Sequence, residues 1–350
     1  MVFFMLFLLL IVAKAANIAP AGQFNKDYLS IQNSNIIKGI FVITVIFSHC
    51  SQYITLDGMY DEPYVKLQAF LGQMIVAMFL FYSGYGVMES ITKKGWNYVK
   101  SIPTKRFIKV LVNFDIAVLL YLILDLILGI KYDTKTILLS LIGWENIGNS
   151  NWYILAILAL YLLIFVAFVL MKWFDSKPML FVYVFIFTIL AMGFVLFEMK
   201  MEKDAYYYYT IILFPLGCWY SLLKPYIDKF VMKNDIIYSF VAMIVGGCLF
   251  ISYNIKPNYG IEGYSVWAIF FTISIVVFTM KFSFNSTLLE WLGKHIFSVY
   301  ILQRIPMMIL HKMGVSHSHK YFFIVISILV TIFIAQIFDY LTGLLWNRKK

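Results

Sequence analysis

Charged residues are scarce in this sequence. They make up 13% of the 350 residues, whereas hydrophobic residues reach 62%; an average soluble domain has about 25% and roughly 45–50%. A soluble domain of this length could not bury so much apolar surface. Long uncharged segments recur along the chain, each close to the roughly 20 residues that a helix needs to cross a bilayer. The composition therefore predicts a polytopic integral membrane protein.

Cysteine is also rare, with three residues in the chain. They lie within or beside apolar segments, dispersed and odd in number, which excludes a disulfide framework and a metal-ligand spacing. Cys50 follows His49 directly, and neighbouring residues of a helix point about 100° apart, so the two side chains do not face each other. We predict small buried apolar cysteines and no metal site, although one short connection without a nearby carboxylate holds three histidines: His311, His317 and His319.

The net charge of +10 could by itself indicate a nucleic-acid-binding protein. However, the cations lie in short segments between apolar ones, which is typical of the positive-inside rule and excludes nucleic acid as a partner. If residues 89–106 and the C-terminal Arg348, Lys349 and Lys350 face the cytoplasm, about 19 of the 28 Lys and Arg lie on that side and about 8 on the other. The sequence thus predicts a multi-pass protein of the cell membrane with a cytoplasmic C-terminus.

The distribution of apolar segments predicts an all-α transmembrane helix bundle of about 10–11 spans with no soluble domain. Residues 1–13 could be a signal peptide, but no positive charge precedes them, which favours a retained span. We assign residues 1–30 to this N-terminal span and its connector, and residues 31–350 to the transmembrane domain. Further spans are predicted at 36–56, 67–88, 107–130, 152–171, 179–198, 206–223, 236–254, 264–280, 292–310 and 321–345.

Lys38 and His49 are the most informative ionisable residues at membrane depth, where such residues are costly. They are separated by about three helical turns, so both side chains project from nearly the same helix face, about 16 Å apart along the axis. Histidine is a natural general base for a hydroxyl because its pKa lies near neutrality. The pair could line one pocket through the membrane. The spacing leaves open a snorkelling lysine and a histidine bonded to a neighbouring helix.

Other intramembrane charges have less obvious roles. Asp115 and Asp125 share a span but point about 80° apart, so we expect separate hydrogen bonds to neighbouring helices rather than a catalytic pair. Arg304 lies in a late span and needs a carboxylate, a carbonyl or a substrate as partner. Asp339 on the last span is a candidate partner, and both a structural and a functional role of Arg304 remain open.

Several motifs occur in a characteristic order along the chain. The segment from Lys38 to His49 is followed by a Phe-rich stretch with Ser83-Gly84-Tyr85, then by Lys105-Arg106, Asn151-Trp152-Tyr153 and a Leu-Gly-Lys…Val-Tyr-Ile-Leu segment at 292–302. Together they resemble the acyltransferase-3 family of membrane acyltransferases, over about residues 30 to 345. Two departures stand out. The early basic residue is usually arginine in that family, and Gln303-Arg304 replaces a late histidine.

The resemblance implies an O-acyltransferase that moves an acyl group, acetyl by default, from a cytoplasmic acyl-CoA to a hydroxyl of an envelope polysaccharide. His49 would act as general base or as a relay for the acyl group, and acyl-CoA would be a co-substrate with no bound cofactor. Lys38, Lys105 and Arg106 would attract the donor phosphates. Candidates for the pocket or the oxyanion site are Ser83, Tyr85, Asn151, Trp152 and Arg304.

Each of these assignments has a plainer alternative. The basic residues of the 89–106 segment also fit positive-inside topology, and Ser83-Gly84 also fits close helix packing through small residues. For the whole chain, the alternative function is a transporter or flippase of lipid-linked or small acidic solutes. Such proteins often show internal repeats or helices broken at matching positions of two halves. The sequence shows neither, so we favour the enzyme.

Overall fold

The computed structural model describes residues 1–347, most of them in helices that follow the apolar segments. The first half of the chain contains α1 (Val2–Ala15), β1 (Ala16–Ile18), α2 (Ile31–Cys50), α3 (Glu62–Leu71), α4 (Met74–Lys94), α5 (Trp96–Val99), a π-helical turn (Pro103–Ile108), α6 (Lys109–Leu128), α7 (Thr134–Leu141), α8 (Trp152–Phe168), a 3₁₀ turn (Val169–Lys172) and α9 (Lys177–Lys200).

The second half of the chain is also helical. It contains a 3₁₀ turn (Ala205–Tyr207), α10 (Leu213–Val231), α11 (Asp235–Ile255), a 3₁₀ turn (Lys256–Asn258), α12 (Gly260–Lys281), β2 (Phe282–Phe284), α13 (Thr287–Lys294), α14 (Ile296–Leu302), α15 (Arg304–Lys312), α16 (Val315–Ser318) and α17 (Lys320–Asn347).

Within the described residues, 8 helical stretches are long and apolar enough to cross a membrane. This confirms the predicted all-α polytopic bundle and a multi-pass membrane protein. The stretches are Ile31–Cys50, Glu62–Lys94, Trp96–Leu128, Trp152–Lys172, Lys177–Lys200, Asp235–Asn258, Gly260–Lys281 and Lys320–Trp346.

Three predicted spans take other forms. The N-terminal segment forms α1, a shorter apolar helix. The predicted span 206–223 begins with a 3₁₀ turn, and α10 extends beyond it to Val231, through a segment that contains Lys224 and Asp228. The predicted span 292–310 is divided among α13, α14 and α15. These breaks interrupt the regular backbone hydrogen bonding, which is tolerated at membrane depth where the segment is buried in protein.

The two ends of the bundle are defined by the two ends of α2, and we name them the Lys38 end and the His49 end. At the Lys38 end, β1 pairs antiparallel with β2 and joins the end of α1 to the end of α12. At the His49 end, buried Asp61 accepts a hydrogen bond of 2.7 Å from Lys320 at the start of α17. Burial raises the pKa of Asp61, but hydrogen bonds, led by that from Lys320, outweigh this effect and lower the pKa to about 2.

The last helix returns to the Lys38 end. Trp346 Nε1 donates a hydrogen bond of 2.9 Å to Asn113 Oδ1 near the start of α6. The end of α17 and the residues before α6 therefore lie at the same end of the bundle, as the predicted topology requires. Arg348, Lys349 and Lys350 lie outside the described residues, so their cytoplasmic location stays a prediction.

Close helix contacts through glycine fix the position of α2. A Cβ added at Gly39 would lie 2.0 Å from the backbone oxygen of Leu289, and one at Gly293 would lie 1.8 Å from that of Asn35. Both glycines thus belong to one tight interface between α2 and α13. Gly84 has the same role between α4 and α10, where an added Cβ would lie 2.1 Å from the oxygen of Phe214. The packing role weighed for Gly84 is confirmed, since small residues let membrane helices approach closely.

Candidate active site

Helix α2 carries both residues of the predicted Lys38–His49 pair. Its N-terminus is capped by Ser30, whose hydroxyl accepts a hydrogen bond from the Asn33 amide, as is typical of a helix start. Both side chains are half-buried. His49 lines a cavity of about 640 Å³, the His49 cavity, whereas Lys38 lines a cavity of about 460 Å³, the Lys38 cavity. A third cavity of about 730 Å³, the basic cavity, also contains Lys38.

The His49 cavity is polar and aromatic. Among the described residues, no Asp or Glu lines it. Two of its tyrosines, Tyr209 and Tyr264, are stacked with ring centroids 4.6 Å apart. Such rings offer flat apolar faces, and carboxamides offer both donors and acceptors, which together suit a polyhydroxylated ligand. The carboxamide and aromatic residues of the wall are Gln52, Gln68, Gln73, Asn146, Asn149, Asn151, Trp152, Tyr206, Tyr209, Tyr264 and Tyr300.

His49 has a free nitrogen inside this environment. Its Nδ1 atom is buried and has no hydrogen-bond partner among the described residues. Arg304 lines the same cavity, and the ring of Tyr300 lies 6.4 Å away between centroids. An imidazole nitrogen without a partner is available to accept the proton of a substrate hydroxyl.

Arg304 also lies in the His49 cavity, and its predicted partner is wrong. Its Nε donates to Ser150 Oγ at 3.2 Å, and its Nη2 donates to Gln52 Oε1 at 2.7 Å. Asp339 instead contacts Ser298 and His295, and it lines the Lys38 cavity. The two residues face different cavities, because Arg304 begins α15 near the His49 end whereas Asp339 lies late in α17.

Asn151 and Trp152 both line the His49 cavity, at the start of α8. The Asn151 amide donates hydrogen bonds to the backbone oxygen of Gly143 at 2.8 Å and to the hydroxyl of Tyr207 at 3.0 Å. Its donors are therefore used to hold the start of α8 against the cavity wall. Trp152 contributes an aromatic face to the same wall.

The remaining predicted site residues lie away from the His49 cavity, at the Lys38 end of the bundle. Lys38, Ser83, Lys105 and Arg106 line the Lys38 cavity, and Tyr85 lines the basic cavity. Neither Ser83 nor Tyr85 is part of the wall of the His49 cavity. The structure therefore divides the predicted residues into two groups along α2 rather than gathering them around His49.

Arg106 has a locally unusual backbone. It lies on the π-helical turn before α6, a type of turn that is rare and often found at functional sites. Its Nε donates a hydrogen bond of 3.1 Å to the Tyr98 hydroxyl, which orients the guanidinium. Lys105 on the same turn is exposed. The turn thus directs the Arg106 side chain into the Lys38 cavity, and the exposed Lys105 lines the same cavity.

Lys38 and Arg106 differ from the other cations that line these cavities because both are half-buried and neither has a carboxylate partner within residues 1–347. Lys38 Nζ lies over the ring of Tyr82, 5.5 Å from its centroid. Three other lysines that line the two cavities pair with carboxylates on their own helices: Lys93 with Glu89, Lys224 with Asp228 and Lys294 with Glu290. The remaining lining lysines are exposed to solvent: Lys26, Lys94, Lys105 and Lys109. The unpaired positive charge of Lys38 and Arg106 can attract an anionic ligand.

Sequence reasoning missed Tyr300. This residue is 3% exposed and lines both the His49 cavity and the Lys38 cavity. Its hydroxyl has no hydrogen-bond partner among the described residues, and the ring of Tyr153 lies 5.7 Å away. Its place in the Val-Tyr-Ile-Leu motif was visible in the sequence, but only the packing of α14 against α2 and α8 makes it a wall between two cavities.

Asp115 and Asp125 were predicted to form hydrogen bonds to neighbouring helices. Both carboxylate oxygens of Asp125 and Oδ1 of Asp115 lack hydrogen-bond partners within the described part of the chain, so the predicted hydrogen bonds to neighbouring helices are wrong for Asp125. Neither residue lines any of the three cavities. Across residues 1–347, no group of three or more His, Cys, Asp or Glu is placed to hold a metal ion.

Comparison with known proteins identifies the family. No curated protein and no solved structure matches the chain. A family model described as an acyltransferase domain matches residues 31–340, nearly the whole chain. This match confirms the resemblance drawn from the Lys38–His49 segment and the motifs that follow it. The chain belongs to the acyltransferase-3 family of membrane-embedded acyltransferases.

Proposed function

We propose that this acyltransferase moves an acetyl group from cytoplasmic acetyl-CoA to a hydroxyl of a cell-envelope polysaccharide. The observation that carries the proposal is the pair of cavities that share Tyr300 as a wall, one containing His49 and the other Lys38 and Arg106. A reaction between a donor from one side of the membrane and an acceptor from the other needs two such compartments. A transporter needs instead a path for the whole solute.

The donor would bind from the Lys38 end. Acyl-CoA carries phosphates, and Lys38 and Arg106 offer positive charge that no carboxylate of residues 1–347 pairs with directly. Lysine cannot bind a phosphate in a bidentate way, but the planar guanidinium of Arg106 can, so Arg106 would supply the geometry that Lys38 lacks. The acyl end of the donor would then occupy the Lys38 cavity. The volume of this cavity, about 460 Å³, lies in the range of small-molecule pockets.

The acceptor would bind in the His49 cavity. His49 would take the proton of the acceptor hydroxyl as its oxygen attacks the thioester carbonyl carbon. A carbon–oxygen bond forms, the carbon–sulfur bond breaks, and the proton passes from His49 to the departing thiolate, so CoA leaves as its thiol. Tyr300 would donate a hydrogen bond to the carbonyl oxygen while negative charge develops there. The free hydroxyl of Tyr300 and the free Nδ1 of His49 support these roles.

The test measures alkali-labile acetyl ester on envelope glycans from cells that express wild type, His49→Ala or an empty vector, at matched protein levels. We expect ester above the vector background with wild type and none above it with His49→Ala. His311→Ala is the matched control, because His311 lies near the same end of the bundle but outside the His49 cavity. Wild-type ester levels in the His49→Ala strain would contradict the proposal.

A further inference from the structure

The charge balance of the His49 cavity is one-sided. Arg304 is the one permanently charged side chain among the described residues that line it, and no carboxylate lines it. Carboxylates occur nearby but have other partners. Glu145, which precedes the lining residue Asn146, forms an ion pair of 3.6 Å with Lys203. The cavity therefore contains a guanidinium without a counter-ion among residues 1–347.

The contacts of Arg304 leave part of its guanidinium free for a ligand. Its two hydrogen bonds go to neutral oxygens, those of Ser150 and Gln52. A guanidinium has further N–H donors in a fixed planar fork that matches a carboxylate or a phosphate. The two neutral contacts fix the orientation of the fork without neutralising its charge.

The surroundings strengthen the attraction for an anion. A concave site that carries charge of one sign concentrates the electric field and raises the local concentration of oppositely charged ligands. Arg304 and His49 line the same cavity. An anion bound by Arg304 would therefore lie in the same cavity as the hydroxyl that His49 activates.

We infer that the acceptor is an anionic glycan, and that Arg304 binds a negatively charged group of the sugar unit that is acylated or of the unit next to it. This inference rests on the proposed function, because it assigns the acceptor to the His49 cavity. The anionic group has the chemistry of a sugar carboxylate or of a phosphodiester, both of which match the guanidinium fork. Arg304 would thus determine which acceptors are used.

The experiment measures binding to the purified full-length protein in detergent micelles. Galacturonic acid is compared with its methyl ester, which keeps the ring and removes the charge, and glycerol phosphate is compared with glycerol. The variants are Arg304→Gln, Arg304→Lys and, as a matched control on the same helix, Lys312→Gln. Lys312 is exposed and does not line the cavity.

We expect wild type and Lys312→Gln to bind at least one anionic compound about tenfold more tightly than its neutral counterpart. One hydrogen bond to a charged group raises the affinity by about this factor. Arg304→Gln should reduce this ratio to about one, and Arg304→Lys should keep part of it. The pair that shows the preference distinguishes a carboxylate from a phosphodiester acceptor. A ratio near one in wild type, no binding of either anion, or an unchanged ratio in Arg304→Gln would overturn the inference.

Ester formation in cells separates this inference from the proposed function. If cells with wild-type protein form no envelope ester, the proposed function fails whatever the binding ratio. If ester forms and depends on His49, but the binding ratio does not depend on Arg304, only the inference about the acceptor fails. If Arg304→Gln keeps the anion preference and lowers the rate alone, Arg304 acts on the reacting carbonyl and not on the acceptor.

Discussion

At the scale of single residues, the site is marked by polar groups without partners. Lys38 has no carboxylate partner within residues 1–347, and His49 Nδ1 and the Tyr300 hydroxyl have no hydrogen bonds there. Unpaired buried polar groups reduce the stability of a fold, so they are rare unless a ligand completes them. These three groups line the two cavities, where a substrate can complete their bonding, and this favours a catalytic role for them.

Replacement of Lys38 separates charge from geometry. Lys38→Ala should raise the KM for acyl-CoA about tenfold, because one charged contact with the donor is lost, whereas Lys38→Arg should stay within about threefold of wild type. Steady-state kinetics on protein in nanodiscs measures both values. Lys94→Ala is the control, since Lys94 lines the basic cavity but not the Lys38 cavity. Equal losses in Lys38→Ala and Lys38→Arg would show that geometry, not charge, matters at this position.

Tyr300→Phe removes one hydroxyl and leaves the wall between the cavities in place. We expect kcat to fall about 100-fold, as after loss of an oxyanion donor, with unchanged thermal stability because that hydroxyl has no hydrogen-bond partner among residues 1–347. Tyr121→Phe is the matched control. The Tyr121 hydroxyl donates to the backbone oxygen of Ile301 at 3.0 Å, so its loss should lower stability by about 1 kcal/mol and spare kcat. A wild-type kcat in Tyr300→Phe would exclude a catalytic role.

At the scale of elements, the site depends on close contacts between helices. Helix α2 carries Lys38 and His49, and its tight contact with α13 through Gly39 and Gly293 determines where both side chains point. The late segment is broken into α13, α14 and α15, and these breaks place Tyr300 and Arg304 at different points of the cavity walls.

Gly293→Ala tests this interface. The added Cβ would lie 1.8 Å from the backbone oxygen of Asn35, so α2 and α13 must separate, at a cost of about 1–3 kcal/mol. Thermal unfolding in detergent should show a lower midpoint, and transfer activity should fall because α2 moves. Gly246→Ala is the control, since nothing lies within 4 Å of its added Cβ. Equal midpoints for the two variants would contradict the tight interface.

At the scale of the whole molecule, two sets of groups lie at opposite ends of α2. The Lys38 end gathers unpaired cations, and the His49 end gathers aromatic and carboxamide side chains. The proposed reaction requires the Lys38 end to face the cytoplasm, where acyl-CoA is made. The excess of cations predicted on that side agrees with this orientation.

Labelling of single cysteines tests the orientation. Lys93 and Lys312 are exposed and lie near the Lys38 end and the His49 end respectively. In a chain whose native cysteines are replaced, a membrane-impermeant maleimide should label Lys312→Cys in intact cells. It should label Lys93→Cys only after the membrane is permeabilised. Labelling of Lys93→Cys in intact cells would place the donor side outside and exclude cytoplasmic acyl-CoA.

Local sequence patterns were enough to predict the membrane class, the helical bundle and the Lys38–His49 segment. Apolar segments in a bilayer must form helices to satisfy their backbone groups, and helical periodicity alone places the two residues on one face. Local patterns therefore sufficed, because each of these features depends on neighbours along the chain.

The set of residues that share each cavity, by contrast, depends on how the helices pack in three dimensions. It separated Ser83 and Tyr85 from His49, gave Arg304 neutral partners in place of Asp339, and placed Tyr300 between the two cavities. These contacts join residues far apart in the chain, such as Arg304 and Ser150. Their geometry depends on glycine contacts and helix breaks that set how whole helices pack, and no local sequence pattern specifies that packing.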